Sequence, residues 1–123
     1  MKPWIGVDLD GTLAVYNYDP NDPNHIGDPI PSMVERIKKW LQEGTTVKIF
    51  TARAAKKLIK GTRKEQKVLI HCWLKKHGLP LLEITNEKDY GMIELWDDRA
   101  ISVETNTGRI LGRNKNTQFK AMA

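Results

Sequence analysis

A chain of 123 residues is long enough for one hydrophobic core and too short for two. With 40% hydrophobic and 28% charged residues it is not a disordered chain, and no apolar run approaches the roughly 20 residues that a membrane-crossing helix needs. Its one cysteine, Cys72, excludes an internal disulfide and a cysteine-based zinc site, while the net charge of +5 speaks for solubility without naming a nucleic-acid partner.

No apolar stretch of signal length accumulates before Asp8, so a cytoplasmic location is expected. Trp4-Ile5-Gly6-Val7 reads as a short strand, apolar on both faces as in a parallel sheet. It runs into Asp8-Leu9-Asp10-Gly11-Thr12. Two carboxylates one residue apart repel, so the pair implies a bound cation, a reaction needing two acids, or a solvated turn. Residues 17–31 carry Pro20, Pro23, Pro29 and Pro31 among Asn, Asp and Gly, which leaves a loop with at most a short flap or hairpin at its start. Ser32 and Glu35 have capping-box spacing, Met33, Ile37, Trp40 and Leu41 recur at helical spacing, and Gly44 gives a stop. This predicts a helix over 32–43.

Thr45 to Thr51 is β-branched and apolar and predicts a second strand. Ala52 to Gly61 predicts a loop with a helical turn. Thr62 and Glu65 repeat the capping-box spacing and open a helix carrying Val68, Leu69, Cys72, Trp73 and Lys76, closed by His77-Gly78. Leu81 to Thr85 and Met92 to Trp96 predict a third and a fourth strand. A closing hairpin is expected around Asn106-Thr107-Gly108. The pattern predicts one α/β domain over 1–112, a short, mostly parallel sheet flanked by helices, followed by a loose polar tail over 113–123.

Ligands of such sheets bind beyond the carboxyl ends of the strands. There stand Asp8 and Asp10 after the first strand, Thr51 after the second, Lys88 after the third, and Asp97 and Asp98 after the fourth. Carboxylates gathered at one edge call for a cation, and oxygen donors without nearby Cys or His favour Mg²⁺ over Ca²⁺. One carboxylate could attack phosphorus and a second could move the proton. Between Arg53 and Lys67 lie Arg53, Lys56, Lys57, Lys60, Arg63, Lys64 and Lys67, opposed only by Glu65. That cluster is either a solvated helix face or an anion-attracting rim.

Asp8-Leu9-Asp10-Gly11-Thr12-Leu13 resembles the first motif of the haloacid dehalogenase-like (HAD) phosphohydrolase superfamily. Ile49-Phe50-Thr51 is similar to its second motif, Lys88 to its third, and the apolar run from Ile93 ending in Asp97-Asp98 to its fourth. The resemblance implies a Rossmann-like core and a Mg²⁺-dependent phosphatase. Asp8 would be the nucleophile and a metal ligand, and Asp10 the general acid/base with its backbone carbonyl on the metal. Thr51 would bind the phosphoryl group and Lys88 would neutralise charge, with Asp97 and Asp98 as further ligands. It also implies substrate contacts from Gly11, Thr12, Ala52, Arg53 and Arg99. Lys88 stands only nine positions before Asp97, without room for a helix between them, and Lys56, Lys57 or Lys60 are its alternatives. Neither inter-motif segment has room for a cap domain, so the chain resembles a capless member. An open site suits a bulky phosphorylated substrate, or a homo-oligomer whose neighbouring subunit serves as lid.

Asp97-Asp98-Arg99 is similar to the phosphatase domain of polynucleotide kinase-phosphatases, and Thr51-Ala52-Arg53 to some deoxynucleotidases. Both imply a nucleotide or nucleic-acid-end phosphate, although Arg99 could equally pair with Asp98. The competing functions are a non-catalytic phosphate- or nucleic-acid-binding module, a phosphotransferase, and a sugar-phosphate phosphatase lidded by a second subunit. Among the other conspicuous residues, Trp4, Trp40, Trp73 and Trp96 are expected in the core. His71 and His77 are expected to be solvated or capping, and Cys72 to be a small buried apolar residue. His25 lies near the mouth of the site.

Overall fold

The computed structural model describes residues 2–58 and 61–112. The expected tail over 113–123 and Lys60 lie outside the described residues. The elements in order are β1 (Trp4–Val7), α1 (Pro31–Gln42), β2 (Thr46–Phe50), a 3₁₀ turn (Ala52–Ala54), α2 (Arg63–Lys76), β3 (Glu83–Thr85) and β4 (Met92–Trp96). The strands form one parallel sheet in the order β3-β2-β1-β4, flanked by two helices. Among the described residues no helix is long and apolar enough to cross a membrane.

Alternation along the strands decides which face packs. Ile5 and Val7 of β1, Val47 and Ile49 of β2, and Ile84 of β3 join Met33, Val34 and Ile37 of α1 and Ile70, Trp73 and Leu74 of α2 in one buried cluster. Both helices therefore cover the same face of the sheet. Among the described residues, side chains and not a helix meet the other face. The connection from β3 to β4, residues 86–91, is short and contains no helix, and it is anchored to β1 at Trp4. The Trp4 amide donates to the Gly91 carbonyl (2.8 Å), and the indole Nε1 donates to Asp89 Oδ1 (2.8 Å). That indole bond, then the bond from the Gly91 amide, holds the Asp89 carboxyl below its usual value. Lys48 lies over the Trp4 ring, 4.5 Å from its centroid, and pairs with Glu83.

Helix α1 begins one residue earlier than the Ser32 reading. Pro31 occupies N1, where its missing N–H costs nothing, and Ile30 is an N-cap without a side-chain hydrogen bond. Ser32 thus lies inside the first turn and caps nothing. The Thr62 expectation is met: its hydroxyl accepts from the Glu65 amide at 3.2 Å. The two positions predict a contrast in urea denaturation. Thr62→Ala is expected to cost about 1 kcal/mol of stability, whereas Ser32→Ala is expected to stay within about 0.5 kcal/mol of wild type.

The buried stripe of α2 runs through Gln66, Ile70, Trp73 and Leu74. Val68 and Leu69 are exposed, and so is Cys72, which corrects the expectation of a buried cysteine. The physical reason is Gln66. A polar side chain fills the first core position because its amide oxygen and its amide nitrogen are both hydrogen-bonded there, and apolar counting alone rotates the face away from it. His71 is tied to the Leu82 carbonyl through Nε2 (3.0 Å), and His77 caps α2 and packs on Trp73. Trp40 and Trp96 are partly buried against each other, their centroids 5.2 Å apart. The expected C-terminal hairpin is a single antiparallel bridge, Val103 to Ile110, and not a pair of strands. Both arms are exposed, and a two-stranded ribbon without a packed face does not extend.

Candidate active site

Strands β1 and β4 are neighbours, and the chain leaves β1 towards β2 on one side while β4 lies on the other. Their carboxyl ends form the switch point of the sheet, where parallel α/β folds open a crevice. The Asp8 amide donates to the Trp96 carbonyl (2.9 Å), which locks the residue after β1 beside the residue before Asp97. Carboxylate oxygens of Asp8, Asp97 and Asp98 lie within 4.8 Å of one another.

The turn after β1 makes this approach sterically open. Gly11 has φ +94°, and a Cβ there would sit 2.6 Å from Asp98 Oδ2. Thr12 then stitches the two strand ends. Its Oγ1 accepts from the Asp98 amide (3.0 Å), and its hydroxyl proton lies between Asp98 Oδ1 (3.3 Å) and Asp8 Oδ2 (3.4 Å). Sequence reasoning assigned Thr12 to substrate; the structure places it as the bridge between the first and fourth strand ends.

The cluster is electrostatically strained as it stands. Burial comes first, followed by the Asp97 charge, a hydrogen bond shared with Asp98, and the charges of Asp98 and Asp10. Together they push the Asp8 carboxyl from 3.8 up to about 8. Three oxygen donors with that much mutual repulsion fit a hard divalent cation. Asp8, Asp97 and Asp98 are the side chains that would hold it.

Asp8, Asp10, Thr51, Asp97 and Asp98 line a single cavity of about 610 Å³. Asp10 joins the cavity but not the carboxylate cluster. Its two oxygens face the Arg53 guanidinium side-on, at 2.7 and 3.0 Å. Thr51 is buried, accepts from the Arg53 amide through Oγ1 (3.1 Å), and retains its own hydroxyl proton for a ligand. Ala52 and Arg99 also line the cavity, and the Arg99 amide donates to Asp97 Oδ1 (2.8 Å).

Lys88 does not reach this place. It is exposed and contributes nothing to the lining, whereas Asn86 and Lys57 do. Strand β3 ends at Thr85, whose Oγ1 accepts from the Glu87 amide (3.0 Å), and that tight turn carries Lys88 away from the strand end. Of the alternative lysines among the described residues, Lys56 and Lys57, it is Lys57 that meets the cavity.

The structure adds groups that spacing did not single out. Tyr16, Tyr18, Pro23 and Asn24 form one wall, and Tyr16 and Tyr18 are half exposed. The wall is pinned at its far end. The Trp73 indole donates to the Gly27 carbonyl (2.9 Å), and a Cβ at Gly27 would collide with the Val15 carbonyl at 2.1 Å. His25 is exposed and enters through its backbone carbonyl rather than its ring. The proline spacing in 17–31 is the trace of this wall in the sequence, but its shape depends on α2.

No family model and no curated protein matches the sequence. Among solved structures, the chain is similar to a conserved protein coded by a locus of Bacteroides thetaiotaomicron, with 24% identity and a TM-score of 0.57. The match covers 81% of this chain and 78% of that one. The likeness is one of fold.

Proposed function

We propose that the chain is a Mg²⁺-dependent phosphomonoesterase that works through an aspartyl phosphate on Asp8. The observation that carries this reading is the meeting of Asp8, Asp97 and Asp98 at the switch point, in one cavity with Asp10 and Thr51. In the first step an Asp8 oxygen forms a bond to phosphorus, the ester P–O bond breaks, and the leaving oxygen takes a proton from Asp10. In the second, water attacks the same phosphorus and gives its proton to Asp10, while the Asp8–phosphorus bond breaks to release inorganic phosphate. The pairing with Arg53 occupies one lone pair on each Asp10 oxygen and leaves another for this traffic. The Thr51 hydroxyl would donate to the phosphoryl group. Asp8, Asp97, Asp98 and the Asp10 carbonyl would hold Mg²⁺, which when bound neutralises the carboxylates and polarises the phosphoryl oxygens.

For the substrate we infer a nucleotide or a nucleic-acid end. The cavity falls in the usual range for ligand sites, about 300–1,000 Å³, far more than a bare phosphate needs. Tyr16 and Tyr18 on the wall and Phe50 in the lining offer flat faces for a base, with Lys57 and Arg99 nearby for charge. The test is a phosphate-release screen with and without Mg²⁺, using nucleotides, 3′- and 5′-phosphorylated oligonucleotides, and sugar phosphates. Mg²⁺-dependent release from nucleotides or oligonucleotide ends is expected. A preference for sugar phosphates would overturn the substrate reading. No release from any of them, with wild type and Asp8→Asn alike, would replace the enzyme with a binding module.

A further inference from the structure

Arg53 has five N–H donors, and all five are engaged within the protein. Nε and one Nη2 proton meet the two Asp10 oxygens at 2.7 and 3.0 Å, and the second Nη2 proton meets the His25 carbonyl at 2.8 Å. The two Nη1 protons meet the Asn24 carbonyl at 2.8 Å and Gln66 Oε1 at 3.0 Å. The side chain is only 14% exposed. Gln66 is buried, and its Nε2 donates in turn to Asn24 Oδ1 at 2.8 Å. Asn24 is therefore held at its carbonyl by Arg53 and at its side chain by Gln66. One planar fork joins the turn after β1, the loop at 24–25, the 3₁₀ turn and α2.

We propose that Arg53 is a positioning residue, with Gln66 as its second leg. It fixes the plane of the Asp10 carboxylate and clamps the 24–25 segment, so that the cavity wall is built before substrate arrives. To grip a substrate phosphate, Arg53 would have to release Asp10 or the loop, and the charge that meets the phosphate comes instead from other lining groups, Lys57 among them. The catalytic part of this inference rests on the phosphatase reading; the clamp itself does not. The geometry also separates arginine from lysine. A point-like ammonium can attract a phosphate, but it cannot reproduce a side-on pair and three further bonds from one plane.

The experiment has two arms on the full chain. In the first, amide hydrogen exchange over residues 16–28 is compared in wild type, Arg53→Lys and Gln66→Met, without substrate. Exchange about tenfold faster or more is expected in Arg53→Lys, the effect of losing at least one charge-assisted hydrogen bond, and a smaller acceleration in Gln66→Met. Unchanged exchange in both variants would overturn the clamp. Should Arg53→Lys fail to fold, Gln66→Met still decides, since it keeps the pair with Asp10.

In the second arm, para-nitrophenyl phosphate is the substrate and inorganic phosphate the competing ligand, both with Mg²⁺. Arg53→Lys is expected to lower kcat about 10²-fold, the scale of a misplaced catalytic group, with inhibition by inorganic phosphate nearly unchanged. Weakened phosphate inhibition in Arg53→Ala that Arg53→Lys restores would make Arg53 a substrate ligand and overturn the positioning role. A wild type inactive on every phosphate ester would remove the reaction reading instead, and the exchange arm would then decide the clamp alone.

Discussion

Asp8→Asn is expected to lower Mg²⁺-dependent phosphate release by about 10⁴-fold or more, the scale of removing a covalent nucleophile, and to leave the fold in place. Asparagine matches the shape of the side chain and keeps the backbone bond to Trp96, but its amide cannot attack phosphorus. The same substitution is expected to raise the melting temperature of the metal-free protein near pH 8. It removes one charge from a cluster whose members repel one another across less than 5 Å. A residue that served only to pack would show the opposite pairing, modest loss of activity with loss of stability. Phosphate-release assays and metal-free thermal melts of the two proteins check both halves. Release by Asp8→Asn within about tenfold of wild type would end the proposal that Asp8 is the nucleophile.

The second large effect is on pH dependence. Without metal, the folded-state Asp8 carboxyl titrates near 8 rather than at 3.8, so between those values the folded protein holds a proton that the unfolded chain has released. The stability this confers is fully present below the lower value and is lost as pH rises through the upper one. The melting temperature of metal-free protein is therefore expected to fall from pH 5 to pH 8.5. On the proposed reading Mg²⁺ would bind the ionised cluster of the folded state alone, so it is expected to restore the lost stability, with a shift that grows as pH rises. Thermal melts across that range, with and without Mg²⁺, test the relation. A metal-free curve that stays level, or a Mg²⁺ shift equal at pH 5 and pH 8, would contradict it. In Asp8→Asn the slope attributable to this group should vanish.

Much of the frame could be read from local pattern. Strands β1, β2 and β4 are short apolar runs closed by polar residues, and parallel order follows from their alternation with helices. The placing of Asp8, Asp97 and Asp98 at one edge follows from the same rule, because strand ends of a parallel sheet gather on one side. What was illegible depended on partners distant in the chain. The face of α2 turns on Gln66, a polar residue whose burial is permitted by Asn24 and Arg53, both far from it in sequence. Asp10 and Arg53 are 43 positions apart, and nothing in the tripeptide around either one reveals that they pair side-on. The Ser32 cap failed for a local reason, since Pro31 satisfies the helix start before the serine is needed. Lys88 lies outside the cavity lining because of a turn of three residues, Thr85 to Glu87, that no strand pattern encodes.

The face of the sheet on which no helix packs among the described residues sets how the chain divides its labour. Because residues 86–91 cross without a helix, cohesion comes from one seam, where α1 and α2 meet the alternate residues of β1, β2 and β3. Selection for a stable fold acts mainly on that seam. On the other side, among the described residues, the specific contacts centre on the Trp4 anchor to Asp89 and Gly91, roofed by Lys48, which in turn pairs with Glu83. A position such as Thr46 is free to drift there without disturbing the strand ends that carry the carboxylates. The molecule is thus thin in a particular sense: its history of substitution should be recorded on one surface and silenced on the other.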